Sequence, residues 1–116
     1  MLLTGNGVSQ SNTQALYWFR LAAEQNHPGA TRNLGLMYKW GRGIPVDYQE
    51  AFVRLRNSAD LGSAAALDDL GTFHEKGPGL APYRAKAGEL YRQSAELGNA
   101  SGKADLQRLL DATAAP

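Results

Sequence analysis

Cysteine is absent from the 116-residue chain, which excludes a disulfide framework and any thiolate metal site. Histidine is scarce, with two residues, so a transition-metal centre would need carboxylates gathered in space. Charge of one sign is lacking too: 12 basic against 11 acidic side chains leave a net charge of +1. So even a balance makes no electrostatic case for nucleic acid or an anionic membrane. No apolar run reaches the roughly 18 residues of a membrane-spanning helix. The opening MLLTGNGVSQ lacks the basic and apolar regions of a secretory signal. The compartment stays open between the cytoplasm and, with a signal removed earlier, the periplasm. The length fits one domain, and 43% hydrophobic with 20% charged residues is an ordinary globular composition.

What the chain does have is glycine at a fixed step. Gly5-Asn6-Gly7-Val8 returns as Gly41-Arg42-Gly43-Ile44 and again as Gly77-Pro78-Gly79-Leu80, each 36 residues on. The rest of the chain keeps that period. Ala15, Ala51 and Ala87 align, as do Phe19, Leu55 and Tyr91, and Leu34, Leu70 and Leu106. A single double-glycine loop invites comparison with a phosphate cradle at a helix N-terminus. Here no β-rich run precedes any copy, and the dinucleotide fingerprint fails at its third glycine, where Gln10, Val46 and Pro82 stand. A turn between two helices is the simpler reading, with glycine supplying positive φ.

Each period reads as two helices. Over 28–40, Ala30, Leu34, Met37 and Tyr38 recur at helical spacing; over 47–61, Ala51, Leu55, Ser58 and Ala59 do so. Asp47 with Glu50, and Ser11 with Gln14, form capping-box patterns. Asn26, Gly62 and Gly98 suit left-handed helix ends, and the third such second helix, starting near Pro82, has no side-chain cap. Gly35 and Gly71 fall mid-helix, where glycine costs ~1 kcal/mol against alanine. That cost points to a close helix crossing. Ser58-Ala59 and Ser94-Ala95 fit the same need, with Phe19, Leu55 and Tyr91 filling the gaps between layers. Stacked pairs then share a core that one pair cannot build alone.

The residues NLGLMYKWGRGIPVDYQEA (33–51) and ALYWFRLAAEQ (15–25) resemble the Sel-1-like repeat (SLR) family, a relative of the tetratricopeptide repeat. The resemblance implies an all-α fold: an α/α solenoid of antiparallel helix pairs in a right-handed superhelix. It implies one domain over 1–116, with a partial repeat 1–26, repeats 27–62 and 63–98, and a capping helix 99–116. Helices are expected at about 11–25, 28–40, 47–61, 64–76, 82–97 and 100–112. Polar Gln107 and Arg108 suit a terminal helix with a solvated face. The N-terminal end has no such cap, which points to a longer solenoid or to self-association there.

By the same resemblance the protein is a non-enzymatic adaptor that takes a peptide or protein in a concave groove, without cofactor, nucleic acid or membrane insertion. The first helix of each pair lines that groove. The positions are Arg32, Leu36, Lys39 and Trp40, then Asp68, Asp69, Thr72 and Glu75, then Ser101, Asp105 and Arg108. A basic, aromatic wall beside an acidic one would suit a segment of mixed charge. The plain alternatives are a solvated helix face for Asp68, Asp69 and Glu75, and packing under the next loop for Trp40.

Two other functions stand beside the adaptor: an immunity or inhibitor protein against a secreted bacterial toxin, and a hydrolase of the β-lactam-binding type. No Ser-x-x-Lys pattern supports the second. His74-Glu75 begins like a zinc-protease motif, but Pro78 replaces the second histidine. His27 at a helix start reads as a cap. Asn99-Ala100-Ser101 matches a glycosylation acceptor, a pattern short enough to arise by chance. Arg20, Arg56 and Arg92, each four residues before an acidic group, read as a surface ladder.

Overall fold

A computed structural model describes residues 5–114, with side chains over 12–112. Six helices follow one another: α1 (Gly5–Glu24), α2 (Pro28–Trp40), α3 (Tyr48–Asp60), α4 (Ala64–Lys76), α5 (Arg84–Glu96) and α6 (Ala100–Ala114). No strand occurs among the described residues. The array is elongated, 55 × 29 × 23 Å.

The helix ends follow from local chemistry. His27 Nδ1 accepts from the Ala30 amide, Asp47 Oδ1 from Glu50, and Ser63 Oγ from Ala66. Asn99 Oδ1 likewise accepts from the Gly102 amide, so its side chain is spent as a cap. Asn26, Gly62 and Gly98 take positive φ of 61°, 102° and 91° and turn the chain into the next pair. The linkers are tied back to the first helix: Asp47 N donates to Tyr38 O and Tyr83 N to His74 O. The helix expected from Pro82 begins at Arg84, with Tyr83 as an N-cap that offers no side-chain acceptor.

The first double-glycine stretch departs from expectation. Gly5-Asn6-Gly7 lies inside α1, and Ser11 falls within the helix instead of capping it. Glycine permits positive φ without imposing it. In the other copies the turn has support: a Cβ on Gly43 would lie 2.9 Å from Cβ of Asn12, and one on Gly79 would lie 2.9 Å from Cβ of Tyr48. Asn12 and Tyr48 are 36 residues apart.

The core runs along the array in three linked clusters. Leu16, Leu34 and Met37 join α1 to α2; Ala51, Leu55, Leu70, Phe73 and Leu90 join the two hairpins; Ala87, Tyr91 and Leu109 receive α6. Phe73, Leu55 and Tyr91 are fully buried, each contributing ~1.5–3 kcal/mol by removal from water. Buried Ser58 and Ser94 donate to the carbonyls of Pro28 (2.6 Å) and Ala64 (2.7 Å), at the facing ends of their hairpins. Small size thus lets the helices approach, and the hydroxyl is satisfied. At the other end of the array, Trp18 is 64% exposed on α1, whereas Leu90, two periods on, is 7% exposed.

Candidate functional site: the face shared by α2, α4 and α6

The first helices of successive pairs lie side by side, and their facing side chains bridge from one helix to the next. Arg32 on α2 holds Asp69 on α4 through Nε and Nη2, at 2.5 and 3.4 Å. Arg108 on α6 grips Glu75 on α4 with two nitrogens at 2.7 and 2.8 Å, and reaches Asp105 at 3.4 Å. Tyr91, rising from α5, donates its hydroxyl to the same Glu75 carboxylate at 2.7 Å. The ring reaches Glu75 because α4 has no side chain at Gly71: a Cβ there would stand 2.4 Å from Tyr91 Cε1. The mid-helix glycine therefore serves both the crossing and the polar network beyond it.

These contacts set the ionisation. The Arg108 hydrogen bonds hold the Glu75 carboxyl down at about 2, against some opposing desolvation. Burial, with the Glu75 carboxylate beside it, pushes the Tyr91 phenol up. Asp68 is the outlier. Burial and a hydrogen bond shared with the Asp105 carboxyl raise it to about 7, Asp69 adding repulsion and Arg32 partly offsetting it. Its Oδ1 is buried without a hydrogen bond.

The remaining candidates sit as follows. Leu36 is partly buried against the central core cluster. Thr72 donates to the Asp68 carbonyl of its own helix and lies 3.4 Å from Tyr91 Oη. Lys39 places Nζ 4.8 Å from the Trp40 ring centre and 5.1 Å from that of Phe73. Trp40 stays 57% exposed at the end of α2. Ser101 is exposed in the first turn of α6. Asp69 and Glu75 are not a solvated face, since their side chains keep 17% and 13% exposure inside cross-helix pairs. Arg108 is half of such a pair and not simply a solvated cap residue, while Gln107 bonds along its own helix to Asp111. Sequence reasoning placed Tyr91 as a filler and missed its hydroxyl; a tyrosine where the other copies have Phe19 and Leu55 was the available signal, because a buried hydroxyl needs a partner.

Elsewhere the chemistry is bland. His74 meets Phe52 and Tyr83 edge-on at 5.6 and 6.2 Å, and burial with nearby Lys86 and Arg56 lowers its pKa. No group of three or more His, Asp or Glu among the described residues is arranged to hold a metal ion, and no helix among them is long and apolar enough to cross a membrane. Of the expected arginine ladder, only Arg92–Glu96 closes, at 3.0 Å. Arg20 turns to the Tyr38 hydroxyl instead, and Asp60 is one methylene shorter than the glutamates.

Helical pairs stacked at a constant 36-residue step, with a cross-helix face built from the first helix of each, define an α/α solenoid. The chain belongs to the Sel1 repeat family: the family model matches residues 1–27, 28–63 and 64–99. It is similar to the crystal structure of a Sel1 repeat protein from Oxalobacter formigenes, with 34% identity, a TM-score of 0.79, and coverage of 83% of this chain and 39% of that one. It is similar also to a protective antigen of uropathogenic Escherichia coli strains displaying an SLR fold. There the identity is 34%, the TM-score 0.80, and the coverage 86% of this chain and 21% of that one. The chain thus spans well under half the length of either structure. No curated protein sequence matches. Sel1 repeat proteins generally mediate protein–protein interactions and are typically non-enzymatic.

Proposed function

We propose that this chain is a non-enzymatic scaffold that holds a peptide or protein partner along the face of α2, α4 and α6, without a cofactor. The observation that carries this reading is Trp40, 57% exposed beside Lys39 at the end of α2. The repeat does not demand an aromatic there, since the equivalent positions are Lys76 and Ala112. An exposed tryptophan at a helix end, with the Lys39 ammonium over its ring, is the kind of anchor that dominates protein interfaces. The cross-helix pairs keep the surrounding surface rigid, which lowers the ordering cost of binding.

The test is to select a binding partner on the purified protein and titrate it against Trp40→Ala and Arg32→Gln, with circular dichroism confirming folding. Each change should weaken binding, Trp40→Ala by about tenfold or more. Unchanged affinity in both would remove the site. The exposed Tyr17 and Trp18 of α1 support self-association as a second contact, and sedimentation that stays monomeric at high concentration would remove that part.

A further inference from the structure

Across the face of α2, α4 and α6 the two members of each ion pair are not equally covered. In the Arg32–Asp69 pair the side chains are 33% and 17% exposed; in Arg108–Glu75 they are 43% and 13%. Asp105, the other carboxylate under Arg108, is 28% exposed. The physical cause is side-chain length. Asp and Glu end close to the α4 and α6 backbones, while the long arginines arch over them and leave their outer edges in water. Lys39 adds a cation that makes no ion pair among the described residues; its ammonium rests over the Trp40 and Phe73 rings. The remaining carboxyl, Asp68, is partly buried, and its Oδ1 is closed off from water. The surface a ligand meets is therefore cationic and aromatic, although the face as a whole carries both signs.

We infer that the segment held on this face is acidic, its carboxylates meeting Lys39 and the outer edges of Arg32 and Arg108 while an apolar side chain lies against Trp40. This rests on the groove reading above and replaces the mixed-charge ligand that the sequence suggests. A basic segment would find Asp69 and Glu75 largely covered and already bonded, and would meet three cations at the rim. Complementary charge of this kind selects among partners more than it adds raw affinity.

The experiment is selection from a displayed library of random short peptides on the folded protein, with Trp40→Ala and Lys39→Glu as parallel baits. On the unaltered protein, Asp and Glu should be enriched over Lys and Arg by about two- to fivefold for each rim contact. That bias should shrink with added salt and fall or reverse on Lys39→Glu. Peptides that depend on Trp40 but show no charge bias, or a basic one, would overturn the acidic assignment and leave the groove standing. Peptides indifferent to Trp40→Ala, or no selected peptides at all, would overturn the groove reading and this inference with it.

Discussion

At the crossing of α2 and α3, a Cβ added to Gly35 would lie 3.0 Å from Leu55 Cγ and 3.1 Å from the Ala51 carbonyl oxygen. At the equivalent crossing of α4 and α5, a Cβ on Gly71 would lie 2.4 Å from one carbon of the Tyr91 ring and 2.6 Å from another. The backbone template is the same, and the filler differs. An aliphatic side chain at Leu55 ends inside the layer; the tyrosine ring passes through it and bonds Glu75 on the far side. The position of Glu75 is held in the first hairpin by Lys39, which stacks on aromatic rings instead. One hairpin thus presents a cation and an exposed indole, and the other a neutralised, cross-braced carboxylate. The fold keeps the spacing of the layers constant while side chains set each layer's surface.

Removing α6 should affect the second hairpin most. The first hairpin is covered by α1 and α4, whereas Ala87 and Tyr91 of the second rely on Leu109. Truncation after Gly98 should expose that cluster and strip Glu75 of Arg108, giving a large loss in melting temperature and association in gel filtration. A monomer melting like the full chain would show that the second hairpin needs no cover.

Substitution at the crossings comes next. Gly71→Leu should cost ~3 kcal/mol or more through overpacking and shifted helices, read by urea unfolding. Gly71→Ala should cost more than Gly35→Ala, and Tyr91→Leu should recover part of the Gly71→Ala loss while leaving Gly35→Ala unchanged. Equal costs at the two glycines would erase the difference between the hairpins.

A smaller effect distinguishes the α4–α6 brace by pH. Asp68 is raised from 3.8 to about 7 by burial and by Asp105. The fold favours its neutral form, so that stability is complete below about pH 3.8 and is lost as pH rises through about 7. Glu75 runs the other way: held at about 2 instead of 4.5, it stabilises fully above 4.5 and loses that contribution as pH falls toward 2. Asp68→Asn should flatten the decline between about pH 4 and 7 and spare the acid limb. A decline that persists in Asp68→Asn would assign it to another group. The smallest difference is on the outer surface. Arg92→Ala should cost ~0.2–0.5 kcal/mol through its pair with Glu96, and Arg56→Ala, with no closed pair to Asp60, less than that.

The fold was legible because its signals are local and repeated. The caps at His27 and Asp47 and the positive-φ positions at Asn26, Gly62 and Gly98 act within a few residues of themselves. The mid-helix glycines announced close crossings because glycine inside a helix is otherwise unfavourable. The first turn was misread because Gly5 and Gly7 only permit a bend that a neighbouring layer must hold in place.

For the candidate site, the sequence by itself determined the repeat phase, and the resemblance to the family supplied the candidate positions on the first helix of each pair. The 36-residue period fixes phase, and phase fixes direction along a helix. It could not show which charges would find each other. Arg32 chose Asp69 and not Asp68, and Glu75 drew in both Arg108 and Tyr91. Those choices depend on which helices stand side by side and, for Tyr91, on the gap left at Gly71. Only the tertiary structure decided that the carboxylates would be covered and the guanidinium edges left in water, because side-chain length turns into exposure only when a second helix stands at a definite distance.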